Sequence, residues 1–254
     1  MIRKVRAVWR LTRAIVHTLH GALVVHGQFR FLNQEQRWQK VQWWGEKQLR
    51  MLGVKLVVEG TPRPGAKLLV ANHISWLDIM AMHAVLPARF ISKSEVASWP
   101  VVGALVTAGS SLYLQRGRPR DALRVLGVVA DALRAGDTVA VFPEGTTSDG
   151  TGLLPFHANM LQSAIDAQAP VQPVALRYRD STNEISPAVA YIGDTSLGQS
   201  LWWIACADGL EVKVSFLPAR HVAHPERRVL AAALRADIAQ ALGMEAQASS
   251  GHAT

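Results

Sequence analysis

A histidine and an aspartate stand five positions apart at the end of an apolar run, Leu68-Leu69-Val70-Ala71-Asn72-His73-Ile74-Ser75-Trp76-Leu77-Asp78. On one continuous helix that spacing would turn them about 140° away from each other and out of reach. With His73 in a turn and Asp78 in the first turn of a following helix, the carboxylate can fold back onto the imidazole. A carboxylate on one ring nitrogen fixes the tautomer and makes the other nitrogen more basic, so that it can take a proton from a hydroxyl. A structural alternative stands beside this one. Ser75-x-x-Asp78 is also the pattern of a helix capping box, and His73 could be an ordinary turn residue.

A second apolar run, Thr138-Val139-Ala140-Val141-Phe142, ends in Pro143-Glu144-Gly145-Thr146-Thr147-Ser148. Pro143 stops a strand ladder, and Gly145 permits a tight turn whose backbone N–H groups can face an anion. Glu144 in that mouth has no evident structural duty, its bland alternative being a solvated turn residue. Two further runs deliver cations to strand ends: Lys93 after Phe90–Ser92, and Arg116 after Leu112–Gln115, with Arg118 and Arg120 close behind. Arg116 could grip a phosphate through its bidentate fork, or the three arginines could form a solvated loop.

The elements that must hold these groups alternate short β-rich runs with helical windows. Strands are expected at Val54–Glu59, Lys67–Ala71, Arg89–Ser92, Ser111–Gln115, Thr138–Phe142, Val171–Tyr178, Ala188–Ile192 and Glu211–Leu217. Helices are expected at Gln34–Leu52, ended by Gly53, at Leu77–Val85, Arg120–Ala135 and Ala158–Gln168, and at Pro225–Leu242. The alternation predicts a single α/β layered domain with a largely parallel sheet flanked by helices. In such sheets ligands collect where strands end and loops begin, which is where the polar groups above stand.

The 254 residues carry 27 Lys and Arg against 19 Asp and Glu, a net charge of +8, yet the mean hydropathy is slightly positive at +0.12. Nucleic-acid-binding proteins of such charge are generally hydrophilic, and there is no P-loop, helix-turn-helix or aromatic RNA-binding pattern here, so nucleic acid is not an expected partner. The lone Cys206 can form no intrachain disulfide, and neither Cys206 nor the sparse His73–Asp78 pair suggests a metal site. From Met1 to Asn33 there is no acidic residue. Arg3, Arg6, Arg10 and Arg13 fall on one helical stripe, and Val5, Val8, Trp9, Val16, Leu19 and Leu23 on another, about 140° away. The uncharged stretch Ala14–Phe29 is too short to span a bilayer, so residues 1–50 read as an amphipathic helical region lying in a membrane interface, its arginines near acidic headgroups. The alternatives are a core helix with solvated arginines or a signal peptide, against which stand the histidines in the run and the lack of an A-x-A site. The uncharged run Val96–Gln115, broken by Pro100, Gly103 and Gly109, reads as loop and strand. Residues 51–242 form the main domain, and 243–254 a small polar tail.

Four blocks in this order, over residues 50–220, resemble the glycerolipid acyltransferase family typified by the bacterial 1-acylglycerol-3-phosphate acyltransferases. They are Asn72-His73-x-x-x-x-Asp78; Lys93-x-Glu95 followed by Pro100, Gly103, Gly109 and Arg116; Phe142-Pro143-Glu144-Gly145-Thr146; and Val171-x-Pro173-Val174. The resemblance implies acyl transfer from an acyl thioester, acyl-CoA or acyl-carrier protein, to a free hydroxyl of a lysophospholipid. It implies His73 as general base, Asp78 as its orienting partner, and Arg116, Glu144, Gly145 and Thr146 as acceptor site, with Lys93 near the acceptor phosphate or the thioester. No cofactor is implied. His157 departs from the family, which often has Lys at that place.

The expected activity is therefore esterification of the 2-position of 1-acylglycerol-3-phosphate to phosphatidate, at the cytoplasmic face of the inner cell membrane, by a peripheral or monotopic protein whose partners are membrane lipids, the lysolipid and the acyl donor. Because the acceptor hydroxyl attacks directly, neither Ser75 nor Cys206 is needed as a nucleophile. Another lysolipid acceptor, such as a lyso-ornithine lipid, is the nearest alternative, and a membrane-binding module without activity the alternative from another class. Leu201-Trp202-Trp203-Ile204 offers either a second interfacial contact or core packing.

Overall fold

Two long helices open the chain in the computed structural model, which describes residues 2–114, 119–221 and 226–244. Helix α1 runs over Ile2–Gln28 and α2 over Gln34–Leu52, joined by a short 3-10 turn at Phe29–Phe31. The start of α2 is fixed by a capping box: the Asn33 side chain accepts from Gln36 N at 2.9 Å, and the Gln36 side chain accepts from Asn33 N at 3.0 Å. Its end is fixed by Gly53, whose φ of +79° is left-handed and whose missing Cβ leaves room for the Arg10 guanidinium.

Helix α1 turns small residues and one histidine inward, burying Ala7, Ala14, His17, Gly21 and Ala22. Its expected apolar stripe faces outward, with Val5, Val8, Trp9, Val16, Leu19 and Leu23 all exposed, Leu23 by 72%. The arginine stripe has a different partner from the expected headgroups. Arg3 Nε donates to Cys206 O at 2.7 Å, Arg10 Nη1 to Ala205 O and Ala207 O at 3.0 and 2.7 Å, and Arg6 pairs with Asp208 at 2.7 Å. These carbonyls belong to the end of α7 (Leu197–Cys206), where unpaired C=O groups carry partial negative charge and attract cations. Arg13 lies over the Trp9 ring at 5.3 Å. Among the described residues no helix is long and apolar enough to cross a membrane.

The body is a seven-stranded sheet of β1 (Lys55–Glu59), β2 (Lys67–Ala71), β3 (Arg89–Lys93), β4 (Leu112–Leu114), β5 (Thr138–Val141), β6 (Val171–Arg179) and β7 (Glu211–Phe216), in the order β1-β7-β6-β2-β5-β3-β4. All neighbours pair parallel except β6 with β7, so the expected α/β class with a largely parallel sheet holds. From β2 the chain crosses to β3 through α3 (Leu77–Val85), and from β3 to β4 through α4 (Val102–Ala108). It returns through α5 (Pro119–Arg134) to β5 and through α6 (Gln162–Asp166) to β6. Those two directions are opposite, and right-handed crossovers therefore put the helices on opposite faces. One core, with α2, α3 and α7, is built on Leu49, Leu77, Phe90, Leu176 and Ile204; the other, with α5, α6 and α8 (Arg227–Ala241), on Leu68, Val129, Val139, Leu161 and Leu234. The carboxyl ends of β2 and β5 face the crevice that opens where the winding reverses.

Three expectations are corrected. Ala188–Ile192 is not a strand: Pro187 has no N–H for a ladder and Ser186 caps Ala188, so the segment opens with a 3-10 turn at Pro187–Val189. Val96–Gln115 holds more helix than expected, a 3-10 turn at Ser94–Ser98 and then α4, which Val101 enters from a left-handed φ of 64°. The helix expected over Ala158–Gln168 divides into a 3-10 turn at Ala158–Leu161 and the short α6.

Candidate active site

The end of β2 is pinned before any chemistry begins. The Asn72 side chain donates to Leu176 O at 3.0 Å and accepts from Leu176 N at 2.8 Å, extending the pairing of β2 with β6 by one more rung. His73 then leaves the strand, and α3 begins four residues later. This kinked path lets a five-residue separation close. His73 Nδ1 lies 2.8 Å from Asp78 Oδ2, the carboxylate being fully buried and the imidazole 19% exposed. The same oxygen accepts from Ile74 N at 2.7 Å and Ser75 N at 2.9 Å, and Oδ1 accepts from the Tyr178 hydroxyl at 2.8 Å. A carboxylate with four donors, two of them backbone, is acceptor-only and immobile, so Nδ1 must carry the proton and Nε2 the free lone pair.

The capping alternative is half present. Asp78 does take the Ser75 N–H, but the Ser75 hydroxyl is buried and has no partner, so the reciprocal bond of a capping box is missing. The ring plane of His73 is set by Phe142, stacked on it at 4.0 Å with 9° between the planes. No described residue hydrogen-bonds Nε2.

Glu144, which the resemblance placed in the acceptor site, has both carboxylate oxygens taken by backbone N–H groups. Its Oε1 accepts from His73 N at 2.8 Å and its Oε2 from Leu154 N at 2.9 Å, and the residue is 3% exposed. Burial, the largest influence, pushes this carboxyl up from its usual 4.5, while the two N–H donors and the imidazole pull it down and Asp78 adds to the rise. The loop beyond it is stitched to the His73 turn. Ser148 N and Oγ both donate to His73 O, at 2.8 and 3.2 Å, Tyr191 N donates to Ile74 O at 3.1 Å, and the Thr147 hydroxyl donates to Tyr191 O. Gly145, with a φ of +70°, makes the turn that presents itself and Thr146 to solvent beside this cluster. The structure thus brings together His73, Asp78, Glu144, Gly145 and Thr146. Lys93 closes β3, with its backbone in register with Leu114, and Arg116 lies outside the described residues.

Tyr178 went unnoticed in the sequence. A tyrosine two places after the apolar run Val174–Leu176, on the same face of the strand as Leu176, was the available signal, because a buried phenol needs a partner. Burial and the Asp78 carboxylate push that phenol well above its usual 10, so it stays a donor.

The acyltransferase family model matches residues 55–177, a stretch that includes the His73–Asp78 turn and the Glu144 loop. A 1-acyl-sn-glycerol-3-phosphate acyltransferase of Neisseria gonorrhoeae is 42% identical over 177 residues, covering 70% of this chain and 69% of that protein. The chain belongs to the acyltransferase family. It is an enzyme of the O-acyltransferase type. A lyso-ornithine lipid O-acyltransferase of Pseudomonas aeruginosa is 37% identical to this acyltransferase over 156 residues, covering 61% of the chain and 59% of that protein. The crystal structure of the 1-acyl-sn-glycerophosphate acyltransferase of Thermotoga maritima shares the fold, with a TM-score of 0.75 at 22% identity and 95% of each chain covered.

In this acyltransferase His157 sits against Gly145: its N donates to Pro143 O at 2.8 Å, and its ring occupies the side on which a Cβ at Gly145 would project. Of the Trp pair in α7, Trp203 is 42% exposed and Trp202 half-buried. A cleft of about 530 Å³ opens between α1 and α2, lined among others by His20, Lys40 and Trp43, apart from the His73 cluster. Among the described residues of the acyltransferase no group of three or more His, Cys, Asp or Glu is placed to hold a metal ion.

Proposed function

We propose that this acyltransferase moves an acyl group from acyl-CoA or acyl-carrier protein to the 2-hydroxyl of 1-acyl-sn-glycerol-3-phosphate, giving phosphatidate. The observation that carries the reading is the His73–Asp78 pair at the end of β2, with Nδ1 held at 2.8 Å by a buried carboxylate and Nε2 open. An alcohol ionises far above neutral pH, so it must lose its proton as it attacks. A positioned imidazole accelerates such a step by roughly 10²–10⁴-fold.

In this mechanism Nε2 takes the proton of the acceptor hydroxyl as its oxygen adds to the thioester carbonyl. Asp78 stabilises the imidazolium that results. The tetrahedral intermediate collapses by breaking the C–S bond, and the thiol leaves with the proton that the imidazole returns. Lys93, or a backbone N–H of the Gly145 turn, stabilises the oxyanion, a contribution of roughly 3 kcal/mol for one well-placed donor. Thr146, Lys93 and Arg116 hold the acceptor, and Glu144 fixes the turn that carries the base.

The reading seats the protein on the cytoplasmic face of the inner membrane, where a two-tailed product can leave without entering water, and the outward apolar stripe of α1 supports a peripheral or monotopic attachment. The identity to lyso-ornithine lipid O-acyltransferases supports a second acceptor reading, transfer to a lyso-ornithine lipid. Purified protein given labelled acyl thioester and each lysolipid in turn separates the two. Label in phosphatidate supports the first reading, and label from the ornithine acceptor alone refutes it. His73→Ala is expected to abolish turnover with folding and vesicle binding intact; vesicle binding with no turnover of any acceptor by the unsubstituted protein would leave only a membrane-binding module.

A further inference from the structure

Helix α8 lies on the far side of the sheet from α3, yet one of its side chains reaches the turn that carries His73. Arg235 is half-buried midway along α8. Its guanidinium donates to two consecutive carbonyls of the loop beyond β5, Nη2 to Leu153 O at 2.6 Å and Nε to Leu154 O at 3.1 Å. The planar fork suits two acceptors presented side by side, which an ammonium group would grip less well.

The peptide group that joins Leu153 to Leu154 therefore stands between opposite charges. Its carbonyl oxygen accepts from Arg235, and its N–H donates to Glu144 Oε2 at 2.9 Å. The other oxygen of Glu144 accepts from His73 N at 2.8 Å. The line thus runs from guanidinium through peptide to carboxylate, its two bonds polarising one another in the same direction, and the carboxylate at its end also accepts from the backbone of His73. Packing holds the same loop from below, where Leu153 and Phe156 lie against the buried Ala175, Ile238 and Leu242. Packing fixes where the loop lies, and the guanidinium fixes which way that peptide points.

We propose that Arg235 is a positioning residue for the catalytic imidazole, acting through the Leu153–Leu154 peptide and the Glu144 carboxylate. Without the guanidinium the peptide is free to rotate, and Glu144 is left a buried carboxylate with a single N–H donor. The His73 backbone then loses its fixed acceptor, and an imidazole displaced by a fraction of an ångström no longer meets the hydroxyl. The proposal rests on the acyl-transfer reading for its kinetic test but has a second readout that does not.

Arg235→Met removes the charge and both bonds while keeping the length of the side chain; Arg235→Lys keeps the charge and one donor. With labelled acyl thioester and 1-acylglycerol-3-phosphate, Arg235→Met is expected to lower kcat about 10- to 100-fold, the scale of a misplaced catalytic group, with acceptor KM within about threefold. Arg235→Lys is expected to recover part of the loss. In a Glu144→Gln background the Met substitution is expected to add little, since the line of bonds is already broken. The ring nitrogen resonances of His73, read by NMR, are expected to move in Arg235→Met at unchanged melting temperature. A folded Arg235→Met protein with full kcat, a loss of the same size in the Glu144→Gln background, or unmoved His73 resonances each overturn the proposal. If Arg235→Met does not fold, Arg235→Lys decides: a reduced kcat that vanishes in the Glu144→Gln background supports it, and an unchanged kcat overturns it. An unsubstituted protein inactive on every lysolipid refutes the acyl-transfer reading instead, and the His73 resonances then still decide the positioning.

Discussion

Replacing Asp78 by asparagine isolates the charge on the orienting group from its geometry. Two backbone donors, Ile74 N and Ser75 N, aim at Oδ2 together with His73 Nδ1, while Oδ1 meets only the Tyr178 hydroxyl. An asparagine amide must therefore place its oxygen in the Oδ2 position and its nitrogen toward Tyr178, whose hydroxyl can turn to accept. The imidazole keeps an acceptor on Nδ1, so its tautomer survives, and only the negative charge is gone. With charge centres about 4 Å apart and an effective dielectric of about 20, that charge stabilises the imidazolium by about 4 kcal/mol. At 1.36 kcal/mol per tenfold, Asp78→Asn should lower kcat about 10³-fold. Acceptor KM should change little, because the charge acts on the imidazolium that forms only as the hydroxyl proton is transferred. The assay is label transfer from the acyl thioester at saturating acceptor, with circular dichroism to confirm the fold. A folded Asp78→Asn protein with kcat within tenfold of the unsubstituted enzyme would refute the claim that a buried charge supports the base.

Tyr178→Phe removes one charge-assisted bond from Asp78 and leaves three, so urea unfolding should show a loss of about 1–3 kcal/mol, and kcat a smaller fall than in Asp78→Asn; no loss of stability would mean the phenol contributes nothing there. His83 is buried against Phe90 with Nδ1 unpartnered, and burial lowers it from 6.5 to about 4. Between those values the unfolded chain binds the extra proton, so stability is complete above about pH 6.5 and falls by up to roughly 3 kcal/mol as the pH drops toward 4. Urea unfolding of His83→Leu across that range should show a correspondingly flatter acid limb, and an identical limb would remove His83 as its cause. Leu19→Glu with Leu23→Glu puts two charges on the exposed stripe of α1, and flotation with anionic vesicles should fall while turnover of a soluble short-chain acceptor stays within about twofold, since neither side chain touches the core; unchanged flotation would count against the interfacial role of α1.

The parts of this molecule that local rules govern were readable from the residues. Helix α2 announces both ends, through Asn33 with Gln36 and through Gly53, and the apolar runs ending at Ala71 and Val141 are the central strands. The His73–Asp78 contact was readable as a possibility because a turn at the strand end was the one geometry that could close it. Contacts across the sheet carried no such signal. Tyr178 is 100 residues from Asp78, and Arg235 is 81 from Leu154, so neither periodicity nor spacing could pair them. Glu144 was singled out as a polar group in the right mouth, but its bonds to His73 N and Leu154 N tie the turn after β2 to two places in the loop after β5. Periodicity likewise gave the two stripes of α1 correctly and left their partners open: the end of α7, which collects the arginines, comes together only in the fold.

That clamp makes the formal charge of +8 a poor guide to how the molecule meets a charged bilayer. Arg3, Arg6 and Arg10 already face protein oxygens, so on the interfacial reading these three charges release few counterions, and the bare hydrocarbon of Val5, Val8, Val16, Leu19 and Leu23 is expected to govern adsorption instead. A polybasic tether lets go when ionic strength shortens the reach of its field. On that reading this helix, locked at one roll angle by its own arginines, is expected to stay down in brine and to come off in detergent.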